Sequence, residues 1–279
     1  MIIDTHVHIY DPFRPEGAPW PEADNKLLYR PTLPVHIKAQ AVPEGVVGVV
    51  VVEASKWIED NQWILDLAED EPFIVGLVGR LEPEDEHFIR DLERFSAHPL
   101  FRGIRFWSPY FSAPQEDGFL DKMRLVADRG LVVDVNFPWE HASGFFAVQE
   151  ELPDLKIVLE HVSAITVNGE PPADEWVEQM RRAAAHPNTS MKVSALMENC
   201  GEQPAPLGLD YYRPALDAIW DIFGRDRVFF GSNWPVCERA GTYARCIDIV
   251  RRYLAEKGVE ETEKFFWRNA QAVYGWRVR

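Results

Sequence analysis

From residue 46 onward the chain repeats one unit, a short apolar run followed by a longer amphipathic stretch, every 25 to 40 residues or so. The runs fall at 46–53 (VVGVVVVE), 73–78 (FIVGLV), 101–106 (FRGIRF), 131–135 (LVVDV), 155–159 (LKIVL), 190–193 (SMKV) and 228–231 (VFFG). The helical period predicts helices over 57–69, 85–97, 117–129, 142–151, 173–185, 211–223 and 243–257. With an opening strand in MIIDTHVH and a short helix at 34–41, this makes eight strands alternating with eight helices. Several strands are apolar throughout, which requires burial on both faces and so a parallel sheet covered by helices. A doubly wound sheet is one arrangement. Eight units in 279 residues favour the other, an α/β fold of the (β/α)8 TIM-barrel type, read as one domain over 1–279 with an extra C-terminal helix at 261–273.

An apolar share of 46% is ample for a buried core. Twenty-nine Lys and Arg against 45 Asp and Glu leave a formal charge of −16, which argues against nucleic acid or an anionic membrane as partner. A small anionic substrate would need a local basic cluster. Cys200, Cys237 and Cys246 follow neither a disulfide framework nor a metal-ligand spacing. With no leader-like stretch and no run of membrane-spanning length, the expectation is a cytoplasmic protein acting on a small molecule. Association into a homo-oligomer is left open.

In such barrels the active site lies at the C-terminal strand ends, and here those ends carry a coherent chemical set. The first strand offers His6 and His8, which alternation places on one side, where two imidazoles suit a divalent metal. The others offer Glu53, Arg80, Arg105 with Trp107, Asp134 with Asn136, Glu160 with His161, Lys192 with Ser194, and Ser232, Asn233 and Trp234. Adjacent strand residues face opposite ways, so His161 is expected inward and Glu160 toward the helices. Lys192 is expected outward, since Ser194 would compete for its space. Glu53 ends a run of valines and belongs at the mouth, because a buried, unpaired carboxylate is costly. An inward Arg105 needs an anion or an oxygen-rich partner. The proline-rich loop 10–34, with Tyr10, Trp20 and Tyr29, is expected to wall the site.

The stretches IDTHVHIYDP, LKIVLEHVSA, MKVSAL, VFFGSNWPVCE and FFWRNAQAVYGW resemble the amidohydrolase superfamily in its amidohydrolase-related (amidohydrolase 2) branch. That branch includes sugar lactonases of the L-fuconolactonase and L-rhamnonolactonase types, 2-pyrone-4,6-dicarboxylate lactonase and metal-dependent decarboxylases. GIRFW, MKVSAL and GSNWPVCE are most similar to the lactonase-like members. A sugar-derived ring is expected against Arg105, Ser194 and the apolar walls Trp107 and Trp234, and the resemblance implies a hydrolase that opens such a small lactone with Arg105 as the substrate-binding cation. It implies metal or carbonyl contacts for His6, His8 and His161, with one divalent zinc or manganese ion or a metal-independent mode.

Two positions depart from the family pattern. The eighth strand usually ends GSDWP, its aspartate serving as acid/base; here the residue is Asn233, whose amide cannot shuttle a proton near neutral pH. Either Glu53 takes that role, or a metal activates the water with His161 helping, or the protein is an impaired homologue that binds a small molecule without turnover. A decarboxylase of the same branch is the further alternative. The family also expects glycine two residues after the sixth-strand histidine, where this chain has Ser163.

Overall fold

In the computed structural model, which describes residues 1–116, 118–137 and 139–276, the apolar runs form eight parallel strands. They are β1 (Ile2–Val7), β2 (Val46–Val52), β3 (Ile74–Gly79), β4 (Phe101–Phe106), β5 (Val132–Val135), β6 (Lys156–Leu159), β7 (Thr189–Val193) and β8 (Val228–Phe230), paired in sequence order. At the rim β8 returns to β1: the Asn233 N–H donates to the His6 carbonyl at 2.9 Å and the His8 N–H to the Trp234 carbonyl at 2.8 Å. The sheet thereby curls into the expected (β/α)8 barrel.

The intervening helices are α1 (Pro34–Ala41), α2 (Glu59–Glu69), α3 (Phe88–Ser96), α4 (Phe119–Asp128), α5 (Ala142–Glu151), α6 (Asp174–Ala184), α7 (Leu209–Phe223) and α8 (Tyr243–Leu254). The expected start of the third helix of the 57–257 series, Asp117, lies outside the described residues. The C-terminal helix is α9 (Val259–Glu263) running through a π-helical stretch (Lys264–Arg268) into α10 (Asn269–Tyr274). Among the described residues no helix is long and apolar enough to cross a membrane.

Alternation divides each strand between two cores. Val49, Val51, Leu77, Ile104, Val133, Ile157 and Met191 face the helices in the larger one. Ile3, Val50, Val52, Val78, Val132, Val158 and Phe229 fill the barrel interior, where Tyr274 and Trp276 from the C-terminal helix and its end pack against them. The lower interior is therefore apolar and filled, and the polar residues collect above it.

In β1 plain alternation fails. Asp4 pairs with Val49 and Val7 with Val51, so three steps on β1 oppose two on β2, a bulge of one residue. Asp4 turns away to accept from the Ser232 N–H at 2.8 Å and the Tyr243 hydroxyl of α8 at 3.0 Å. Beyond the bulge His6 and His8 still project to one side, their ring centroids 4.9 Å apart.

Candidate active site

His6 and His161 come within 4.5 Å, centroid to centroid, and Glu160 joins them: its Oε1 lies 3.4 Å from His6 Nδ1. Ligand atoms of His6, Glu160 and His161 all fall within 4.8 Å of one another. The expectation that Glu160 faces the helices is thus corrected. β6 ends at Leu159, and Glu160 continues the inward series of Val158. His161 then takes φ +54°, the first of four left-handed residues (His161, Val162, Ser163, Ala164), and this turn brings its ring back over the same opening. Both neighbours therefore reach the site. His8 stands beside the cluster with Nδ1 3.1 Å from the Val52 carbonyl.

Lys192 also points inward, against expectation. It lies one layer below Ser194, so the two do not compete, and its Nζ reaches Asp134 at 2.5 Å and His6 Nδ1 at 3.5 Å. The Tyr274 hydroxyl bonds both Asp134 oxygens, at 2.9 and 2.8 Å. Space for Lys192 exists because position 231 is glycine: a Cβ there would sit 2.8 Å from the His6 Cβ and 3.2 Å from Lys192 Cδ.

Above this layer opens a cavity of about 510 Å³, lined among others by His8, Trp20, Glu53, Arg80, Arg105, Trp107, His161 and Asn233. Trp20, from the 10–34 loop, packs edge-on to His8 at 5.9 Å, so the loop does wall the site. Arg105 organises the floor. Its Nε donates to Glu160 Oε2 at 2.8 Å, one Nη lies 3.5 Å from Glu53 Oε1, and its guanidinium sits 4.7 Å from the Trp107 ring centroid. Arg80 approaches Glu53 at 3.9 Å. The local basic cluster that the chain's net charge calls for is thus Arg80 and Arg105, both already tied to carboxylates, with Lys56 also lining the cavity.

Burial sets the protonation states. It holds His6 and His161 well below the usual imidazole range, reinforced by Lys192 and Arg105, and brings His8 down to about 3. All three rings are neutral at neutral pH, as proton acceptors and metal ligands must be. Burial pushes the Glu53 carboxyl up, against the pull of Arg105 and Arg80.

Two residues expected to touch substrate stand behind the cavity wall. Ser194 is buried; its Oγ accepts the His161 N–H at 3.1 Å and lies 3.0 Å from His161 Nδ1. Arg105 Nη2 is 3.3 Å from His161 Nε2, so the tautomer that satisfies both contacts carries its proton on Nδ1. Trp234 is 1% exposed, and its indole N–H donates to Glu238 at 2.8 Å. The chain turns inward before Trp234, at Asn233 with φ +62°, which faces the cavity in its place.

Asn233 Nδ2 donates to Glu198 Oε1 at 2.9 Å. Glu198, five residues beyond β7, was not legible in the sequence, since no spacing or periodicity marks it within MENC. Burial pushes its carboxyl up to about 7. Among the described residues, the six non-glycine ones with positive φ are His161, Val162, Ser163, Ala164, Ala195 and Asn233, all just past β6, β7 and β8. Such strain gathers where surrounding structure holds functional groups in place.

The sequence matches the Amidohydro_2 family, described as amidohydrolase, over residues 3–276. Among curated relatives, an L-fucono-1,5-lactonase of Burkholderia ambifaria is 29% identical, with 98% of this chain and 94% of the relative covered. An L-fucono-1,5-lactonase of Burkholderia multivorans is 26% identical, covering 94% and 91%. A crystal structure of an amidohydrolase from Burkholderia multivorans with bound Zn has a TM-score of 0.85 at 22% identity, with 99% of this chain and 100% of that one covered, a likeness of fold. Since the family match runs through every strand and every residue of the site, the chain belongs to the amidohydrolase family.

Proposed function

We propose that this protein is a lactone hydrolase that opens a small, sugar-derived lactone by attack of water on the ring carbonyl. The observation that carries the reading is the convergence of Glu53, Arg105, His161 and Asn233 on one cavity of about 510 Å³, a volume suited to a single small ring. The relatives named L-fucono-1,5-lactonase support the substrate class.

Arg105, with an edge toward the cavity and its charge balanced by Glu160 and Glu53, is the donor for the carbonyl oxygen as negative charge develops there. Glu53 is the general base. It takes a proton from water as the new C–O bond forms, and returns it to the ring oxygen as the endocyclic C–O bond breaks, leaving a hydroxy acid. Its raised carboxyl range suits both transfers. Asn233 orients the water, and His161, its Nε2 engaged by Arg105, fixes the guanidinium beside it. Trp107 and Trp20 supply flat apolar walls for the ring, while Ser194 serves by holding His161.

The histidine cluster fits a divalent cation, zinc or manganese. His6 Nε2 and Glu160 Oε1 are buried without a hydrogen-bond partner among the described residues, and imidazole with carboxylate is a donor set these ions take. His6, Glu160 and His161 would hold it, with His8 adjacent, and it would supply Lewis acidity to a carbonyl oxygen.

The test is a pH-indicator assay across a panel of five- and six-membered aldonolactones. Acid release above the buffer rate with at least one member, lost in Arg105→Ala, is expected. Hydrolysis of every lactone at the buffer rate would refute the proposal, and thermal stabilisation by a lactone without turnover would identify a binding protein instead.

A further inference from the structure

We propose that Glu198 is a positioning residue that decides which end of the Asn233 amide faces the cavity, the ionised carboxylate turning the amide oxygen toward the reacting water. The role of the water rests on the lactonase reading; the orientation of the amide does not.

A side-chain amide has a donor end and an acceptor end. Asn233 is 5% exposed, its backbone is pinned by the N–H bond to the His6 carbonyl, and one end of its amide is engaged by Glu198 at 2.9 Å. The other end is left for the cavity that Asn233 lines. An ionised Glu198 only accepts, so it takes Nδ2–H and leaves Oδ1 for the ligand. A protonated Glu198 can donate to Oδ1, and the amide then turns Nδ2–H outward.

The surroundings make this a balanced choice. Glu198 Oε2 is buried with no hydrogen-bond partner among the described residues, so the ionised form is poorly stabilised. The groups facing the carboxylate are the backbone N–H of Glu198 itself, Asn233, Arg239 and Cys237 just past β8, Cys246 on α8, and Cys200 in its own loop. Burial keeps the three thiols neutral, which leaves the exposed Arg239 as the cation. Burial outweighs it and holds the carboxyl at about 7. The pairing also accounts for an amide at this position. An aspartate at 233 would set two carboxylates at hydrogen-bond distance, where both cannot stay ionised.

The test uses protein labelled with 15N at asparagine, the Asn233 side-chain signal being assigned by its loss in Asn233→Ser. In the wild type the Asn233 NH2 pair should shift between pH 5.5 and 8.5 with a midpoint near neutrality, and in Glu198→Gln it should not. For a hydrolysed lactone, kcat should rise through the same midpoint, with that limb missing in Glu198→Gln and KM changed less than kcat. An Asn233 signal that ignores pH in the wild type, or a titration that survives in Glu198→Gln, overturns the proposal. If Glu198→Gln does not fold, Arg239→Gln decides: loss of the cation should raise the midpoint, and an unmoved midpoint overturns the proposal. If no lactone is turned over, the lactonase reading fails while the amide titration still settles the role of Glu198.

Discussion

Replacing Ser163 by glycine should stabilise the protein, although it deletes a buried side chain. Ser163 has φ +50° and ψ +43° within a run of four left-handed residues. A residue with a Cβ is disfavoured there by about 1–2 kcal/mol, and glycine is not. Against this stands the greater freedom that glycine gives the unfolded chain, about 0.5–1 kcal/mol. The lost hydroxyl costs little, since its one hydrogen-bond partner among the described residues is Met191 Sδ at 4.0 Å. The bonds that Ser163 makes through its backbone, to the Glu160 carbonyl at 2.9 Å and from the Trp176 indole at 3.2 Å, survive. The net expectation is a gain of about 0.5–1 kcal/mol. At about 2.1 cal/mol/K per residue, a 279-residue chain unfolds with an entropy of roughly 0.6 kcal/mol/K, so Tm should rise by about 1–2 °C. Urea titration and calorimetry measure the gain, with Ser163→Ala as the control that removes the hydroxyl and keeps the strain. A glycine variant no more stable than the alanine variant would refute the strain argument. Since His161 begins the same turn, the relaxed variant should also lose some kcat.

Gly231→Ala should destabilise by about 1–3 kcal/mol, because the new methyl meets the barrel layer at His6 and Lys192; a thermal melt at wild-type Tm would show that the layer yields freely. Glu53→Gln should lower kcat by about 10²–10⁴-fold with the fold intact, and unchanged turnover would remove Glu53 from the role of base. Glu198 should make stability fall as pH rises. Its carboxyl sits near 7 when folded against an ordinary 4.5, so the folded state binds the extra proton and loses up to about 3 kcal/mol between those values. Urea unfolding at pH 5 and pH 8 should show this loss in the wild type and not in Glu198→Gln, whose parallel behaviour would contradict it. Elemental analysis should find zinc or manganese in the purified protein and less of it in Glu160→Gln; an equal content in both would remove Glu160 from the ligand set.

Part of the candidate site is legible in the sequence. His6, His8, Glu53, Arg105, Trp107, His161 and Asn233 follow from reading polar residues at the ends of apolar runs, and they meet at one opening. The errors share a cause. Glu160 is expected outward beside an inward His161 and Lys192 outward by competition for space, but alternation from Val158 carries Glu160 inward, a left-handed turn at His161 returns its ring to the same opening, and Lys192 occupies a second, deeper layer. Ser194 and Trp234 lie on the right segments and stand behind the wall that His161 and Asn233 form.

By itself the sequence determined the eight strand–helix units, the barrel and the end of it that carries chemistry, because these depend on local periodicity and on which runs can lose contact with water. Tertiary structure alone decided the β1 bulge, the Glu160–Arg105–Glu53 arrangement, the buried Lys192–Asp134–Tyr274 network and the pairing of Asn233 with Glu198. Each of these joins residues from separate strands and loops. Their facing is set by how the closed barrel satisfies its buried polar groups, a constraint that does not exist until the ring of strands is complete.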